Sequence, residues 1–185
     1  AKCRVVLDRT NVDGFQFQNH PNISKPLFAS DAVLALKNPD REFPVGNPVG
    51  VLRWRSAHSD ESKVPLLINC WPEPMGGGVI NVNIEFNLQT LAHTVDLHDV
   101  VISVPIGTDS APEIVSCDGL TNHVAHDQVL EWHIDLIDGS NSSGTLEFNV
   151  AGRDTDAFFP TTVAFKSATT ICGIAVAEVQ SLPDG

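Results

Sequence analysis

Tyrosine is absent from this 185-residue chain, methionine occurs once (Met75), and 11 Lys plus Arg stand against 23 Asp plus Glu, a formal net charge of −12. Nucleic acid is therefore not expected as a partner, because phosphate backbones are held by clustered cations and the cations here are scattered. The same deficit argues against direct binding to anionic lipid, although an acidic module can ride on a membrane within a larger assembly. No apolar run approaches the roughly 18 residues of a membrane-spanning helix. The longest runs, 64–68 and 100–106, are strand-sized. Residues 1–7 lack a basic region followed by a long apolar one, so no signal peptide is expected. Without an initiating Met, the chain is expected to be an excised domain.

The four cysteines, Cys3, Cys70, Cys117 and Cys172, lie dozens of residues apart. Structural zinc sites supply ligand pairs two to four residues apart, so a zinc framework is excluded. Four reduced, mostly buried thiols are expected. The sequons at Asn22 and Asn141 pull toward an extracellular β-sandwich binding module, which stands as the alternative. Nucleophile elbows, glycine-rich phosphate loops and H-E-x-x-H are missing. His123, His126 and Asp127 form a compact H-x-x-H-D group, His58 neighbours Asp60 and Glu61, and His93 neighbours Asp96 and His98. Each reads as a solvated polar loop, because no further ligand or shared pocket is indicated. No enzyme, metal or cofactor is expected.

What is present is alternation. Val79–Leu88 places Ile80, Val82, Ile84, Phe86 and Leu88 on one face and Asn81, Asn83, Glu85 and Asn87 on the other, which predicts a half-buried strand. Val100, Ile102, Val104 and Ile106 share a face before a turn at 107–110, and Leu130, Trp132, Ile134 and Leu136 share another. The loop 138–144 then leads into alternation at 145–150, and the strands on either side of it are expected to be antiparallel neighbours. Segments 161–166 and 172–179 are further short strands, the latter with Ile174, Val176 and Glu178 opposite Ala175, Ala177 and Val179. Ser30-Asp31 caps a short helix over the following apolar residues, or these form a strand. Trp132 is expected in the core, and Trp54 and Trp71 either in the core or on a recognition surface. Prolines and glycines punctuate the chain at sandwich-like intervals, giving an all-β sandwich architecture with a possible boundary near 65–74.

Several segments carry more than periodicity. His20–Phe28 (HPNISKPLF), Leu36–Arg55, Asp60–Glu73, Asp99–Ile106 (DVVISVPI), Val129–Asp138 (VLEWHIDLID), Ser143–Val150 and Phe158–Pro160 closely resemble the mu-homology domain of the coatomer delta subunit family. The resemblance runs across nearly the whole chain. It implies two interlocked antiparallel β-sandwich subdomains: 1–67 with 171–185 as an incomplete subdomain A, lacking the family's first and last strands, and 68–167 as an inserted subdomain B. It also implies a non-enzymatic adaptor of the COPI coat, cytoplasmic and peripheral on Golgi membranes, acting in Golgi-to-ER retrograde transport. The partners it implies are other coatomer subunits and tryptophan-motif peptides of the Dsl tethering complex and an Arf GTPase-activating protein. The tyrosine-motif binding of the related medium chains is not expected. A tryptophan held in an apolar pocket beside an exposed strand is the physical mode. The residues expected to form it are Ile84, Phe86, Asp99 and Val101 on neighbouring strands, since Val101 is apolar on an otherwise polar face. A second candidate surface is Lys25, Phe28 and Lys37.

Overall fold

A computed structural model describes residues 3–10, 12, 14–56, 64–89 and 95–181, and divides into two compact units, Ala1–Ser59 with Thr170–Gly185, and Asp60–Thr169. Helices are few, and the sheets throughout are antiparallel.

The first unit contains β1 (Cys3–Asp8), β2 (Phe15–Asn19), α1 (Lys25–Asp31), β3 (Val33–Leu34) and β4 (Leu52–Ser56). A late strand, Ala175–Ser181, pairs with β1, which also pairs with β3, while β2 and β4 form a two-stranded ribbon. The helix lies earlier than Ser30-Asp31 suggests. Pro26 sits in its first turn, where its fixed φ favours a helix and its missing N–H costs nothing. Ala32 then ends the helix in the left-handed region at φ 54°. Ile23, Phe28 and Leu34 form its small buried core. In the late strand the expected faces are also revised. A bulge sets Val5 opposite Val179 but Leu7 opposite Val176, so both valines share one face, and each is 62% exposed.

The second unit is a sandwich of two four-stranded sheets. Its strands are β5 (Leu66–Gly76), β6 (Val79–Leu88), β7 (Leu97–Pro105), β8 (Glu113–Cys117), β9 (Leu120–Val124), β10 (Val129–Ile137), β11 (Ser143–Ala151) and β12 (Thr162–Lys166). One sheet runs β12-β7-β10-β9 and the other β5-β6-β11-β8. The inward residues of β6, β7, β10 and β11 are the predicted alternating sets except at the end of β10, and Ile80, Val82, Ile84, Phe86, Val100, Ile102, Val104, Leu130 and Trp132 are all buried. Trp132 is fully enclosed because its indole Nε1 donates to the Asp118 carbonyl at 2.7 Å, so no donor is stranded. Pro72 and Pro74 sit in β5, an edge strand, where a missing N–H costs little.

Two expectations fail here. The strands on either side of the 138–144 loop are not neighbours. β10 pairs with β7 and β9, and β11 pairs with β6 and β8, so the loop carries the chain from one sheet to the other. Asp138 fixes that crossing, its carboxylate accepting from Ser140 N, Ser140 Oγ and Asn141 N at 2.7, 2.7 and 3.0 Å. Leu136, expected in the core, is only half-buried, and Ile137 takes its place. The cause lies across the ladder: Asp99 has φ 48°, and this left-handed residue turns the pleat over, so that Leu97 and Val100 both face inward and pair with Ile137 and Ile134.

Candidate partner-binding surface

The solvent face of the sheet β12-β7-β10-β9 carries one apolar-to-aromatic row. Ladder register aligns Ala164, Val101, His133 and Leu120 across all four strands. Val101 is half-buried and Leu120 is 73% exposed. On one side runs a polar row, Thr162, Ser103, Glu131 and Asn122. There the Asn122 amide donates to Glu131 at 2.9 Å and the His133 ring nitrogen lies 3.2 Å from the same carboxylate. Those two bonds, Asn122 first, hold the Glu131 carboxyl below its usual range. On the other side lies an ion pair. Lys166 Nζ donates to Asp99 at 2.7 Å, which pulls the Asp99 carboxyl down and the Lys166 ammonium up.

The row opens at its β9 end onto a cleft of about 260 Å³. Phe86, Leu120 and Ile134 line it alongside Asp118, His133 and Asp135. Gly119 allows the chain to turn there, with φ 118° and a position where a Cβ would stand 2.5 Å from the His133 carbonyl oxygen.

The sequence-derived residues distribute unevenly over this geometry. Val101 and Asp99 both lie on the β7 segment of the face. Ile84 and Phe86 are on β6, in the opposite sheet, and are 0% and 1% exposed, so the four do not lie on neighbouring strands. The period-2 pattern points both side chains inward, leaving Ile84 unreachable and Phe86 as no more than part of the cleft floor. The second candidate surface dissolves in a similar way. Phe28 is buried, its ring 6.0 Å from Phe17 and capped by the Arg9 guanidinium 4.8 Å above it. Lys25 is exposed at the start of α1, and Lys37 is exposed beside the Ile23–Leu36 bridge, so the two lysines lie at the surface without the phenylalanine.

Other expected residues resolve plainly. Trp54 and Trp71 are 36% and 52% exposed, so both are surface residues. His123 packs on β9 opposite Leu130, while His126 and Asp127 pair with each other at 3.1 Å on an exposed 3₁₀ turn. Among the described residues no three metal-ligating side chains converge. His58, Asp60, Glu61 and His93 lie outside the described residues. All four cysteines are unpaired. Cys3 is exposed, Cys172 is buried, and burial pushes the Cys70 thiol up to about 11. Sequence reasoning missed the 260 Å³ cleft and an apolar pocket of about 360 Å³ in the first unit, lined by Val5, Ile23, Leu34, Leu36, Phe43 and Val51. No helix among the described residues is long and apolar enough to cross a membrane.

A two-sheet antiparallel sandwich, with a polar-bordered apolar row on the outer face of one sheet, places the second unit in the class of all-β sandwich domains. Comparison narrows the class. The model of the adaptor complexes medium subunit family matches residues 2–184, and the chain belongs to that family. It is 40% identical over 184 residues to coatomer subunit delta-1 of Oryza sativa subsp. japonica, covering 98% of this chain and 34% of that protein. The chain thus spans about a third of the length of most of the curated relatives it matches, and 47% of one. Among solved structures it is similar to the yeast delta-COP-I mu-homology domain, at 28% identity and a TM-score of 0.64, covering 96% of this chain and 73% of that one. The same yeast domain complexed with a Dsl1 WxWxV peptide matches at 25% identity, with the same TM-score and coverage. The mu-homology fold and the resemblance to coatomer delta subunits, both expected from the sequence segments, are borne out.

Proposed function

We propose that this chain is a non-enzymatic adaptor domain of a COPI-type coat, cytoplasmic and peripheral on Golgi membranes, acting in Golgi-to-ER retrograde transport. Its partners are other coatomer subunits and short tryptophan-bearing segments of Dsl-type tethering proteins and of an Arf GTPase-activating protein. One observation carries the reading: the likeness, over 96% of the chain, to the yeast delta-COP-I domain complexed with a Dsl1 WxWxV peptide. We assign the contact to the face bearing Asp99 and Val101, extended to His133 and Leu120.

Dimensions support that assignment. An extended segment rises about 3.4 Å per residue and alternates faces, so a W-x-W-x-V pattern presents two indoles and a valine on one side over about 14 Å. A row crossing four strands spaced about 4.8 Å apart spans about the same length. The flanking Asp99–Lys166 pair and Glu131 supply polar groups at the border of an apolar stripe, the usual composition of a weak, specific peptide site.

Titration of the protein with a W-x-W-x-V peptide, beside a control with both tryptophans changed to Ala, tests the reading. Saturable binding lost in the control is expected, and Val101→Asp is expected to weaken it by about tenfold or more, as for loss of a central interface anchor. Val101 is on the solvent side of its strand, so the variant is expected to fold. Undiminished binding by the folded V101D protein moves the contact elsewhere, and no binding by the unsubstituted protein overturns the reading.

A further inference from the structure

Glu131 and His133, both on the outer face of β10, fix where the hydrogen of the imidazole sits. The Asn122 amide donates to Glu131 Oε2 at 2.9 Å, and His133 Nε2 stands 3.2 Å from the same oxygen. The Glu131 carboxyl is held below its usual range, chiefly by the Asn122 bond, so at neutral pH it is ionised and can only accept. His133 Nε2 therefore carries the hydrogen, and in the neutral ring Nδ1 is left as an acceptor. That atom has no hydrogen-bond partner among the described residues. The ring lies in the row between Val101 and Leu120, its side chain 40% exposed, and it borders the cleft floored by Phe86, Leu120 and Ile134. The unit Asp60–Thr169 holds three Lys plus Arg and sixteen Asp plus Glu, a net of −13 against +1 for the rest. Even so, the carboxylates bordering the row are engaged, Asp99 by Lys166 and Glu131 by Asn122 and His133.

We infer that His133 is a specificity-determining residue of this face: its Nδ1 accepts the indole N–H of one of the peptide's two tryptophans and so selects tryptophan over phenylalanine. The inference rests on the peptide-binding reading above and deepens it. An apolar surface ranks the two side chains only by the area each buries. What separates them chemically is the indole N–H, a donor with no acceptor beside it, which needs a partner once it leaves water. The row supplies both halves of that requirement. Val101, Leu120 and the cleft floor take the ring, and the imidazole beside them offers one complementary atom. A site built to pair with a donor discriminates against an analogue that lacks it. Asn122 and Glu131 act through His133, as positioning residues that decide which of its nitrogens is bare.

The test replaces each tryptophan of a W-x-W-x-V peptide in turn by benzothienylalanine, whose sulfur stands where the indole N–H stood in a ring of nearly the same shape. At one of the two positions the unsubstituted protein is expected to bind the tryptophan peptide about threefold to tenfold tighter, the worth of one hydrogen bond. In His133→Phe, which keeps an aromatic ring on the row, that preference is expected to disappear. A purely structural role for His133 would weaken both peptides alike and leave the preference intact. His133 is on the solvent side of its strand, and an unchanged melting temperature verifies the fold. A preference that survives in the folded variant puts the acceptor on another group of the cleft, Asp135 or Asp118, and overturns the inference. The unsubstituted protein gives a second reading that needs no variant. In an imidazole nitrogen NMR spectrum, the His133 Nδ1 resonance is expected to move upfield further with the tryptophan peptide than with the benzothienyl one. Equal shifts with the two peptides, or equal affinities at both positions, overturn the selection and leave the peptide reading standing. Failure of the tryptophan peptide to bind the folded, unsubstituted protein overturns the two together.

Discussion

At the residue scale, the sandwich depends on a few positions where backbone and ring approach each other too closely for any substitution. Gly144, on β11, is buried, and a Cβ built there would stand 2.6 and 2.9 Å from two ring carbons of Phe86. That ring lies 5.4 Å from the indole of Trp132, which is itself pinned to the Asp118 carbonyl. Phe86 therefore cannot retreat without moving the centre of the core. Gly144→Ala is expected to destabilise the second unit by about 1–3 kcal/mol, the range for overpacking in a close-packed interior. Chemical denaturation followed by tryptophan fluorescence checks it, and a variant as stable as the parent would mean that the ring has room to move. A thiol offers a second measurement. With its pKa raised to about 11, Cys70 carries about a hundredfold less thiolate at neutral pH than a thiol of pKa 9. In alkylation at pH 8 of the native protein, the exposed Cys3 is expected to react first and Cys70 slowly, as read by peptide mass mapping.

At the scale of elements, Asp99 bends β7, and its carboxylate holds Lys166 across to β12. Both groups are exposed, so the pair is strongly screened and worth little to global stability. Its titration is nevertheless diagnostic. The folded carboxyl is depressed, so its contribution is present above the unfolded pKa and lost as pH falls through the lower folded value, below 3.8. The lysine is raised, so its contribution is present below its ordinary 10.5 and lost only as pH climbs through a higher value. The pair is thus intact between about pH 5 and 10. An NMR titration of Asp99 is expected to show a midpoint below 3.8 that rises in Lys166→Met; an unchanged midpoint would deny the pairing. This element also marks how far the sequence is legible. The strands of the second unit are readable because each buries one face and alternates with period two. Their pairing is not, because both sheets alternate identically and nothing local states that the loop 138–144 crosses between them. Val101 is readable as apolar on a polar face. The cleft is not, since Phe86, Asp118, Leu120, His133 and Asp135 come from separate segments that only the crossing brings together.

At the scale of the whole molecule, burial and charge divide between the two units in opposite ways. The second unit encloses nineteen buried apolar residues in one cluster, whereas Ile23, Phe28 and Leu34 are the buried cluster around the first unit's helix. Yet the second unit also concentrates the negative charge, whose self-repulsion opposes compactness. The hydrophobic term dominates: fully burying one large apolar side chain is worth about 1.5–3 kcal/mol, and the unit buries many, while its carboxylates stay at the surface in high dielectric. No charged residue is buried among those described. The balance predicts where backbone amides are protected. Exchange is expected to be slowest in the central strands β6, β7, β10 and β11, which are hydrogen-bonded on both edges and packed on the core. The two-stranded ribbon β2-β4, which joins no third strand among the described residues and carries the exposed Trp54, is expected to exchange at least about tenfold faster. Raising salt from low to physiological strength is expected to slow exchange further in the acidic sandwich and to leave the near-neutral unit unchanged, because screening relieves repulsion only where like charge has accumulated. Hydrogen exchange read by mass spectrometry at the two salt concentrations resolves both effects. Equal protection in the two units, or an equal response to salt, would mean that they open as a single cooperative body.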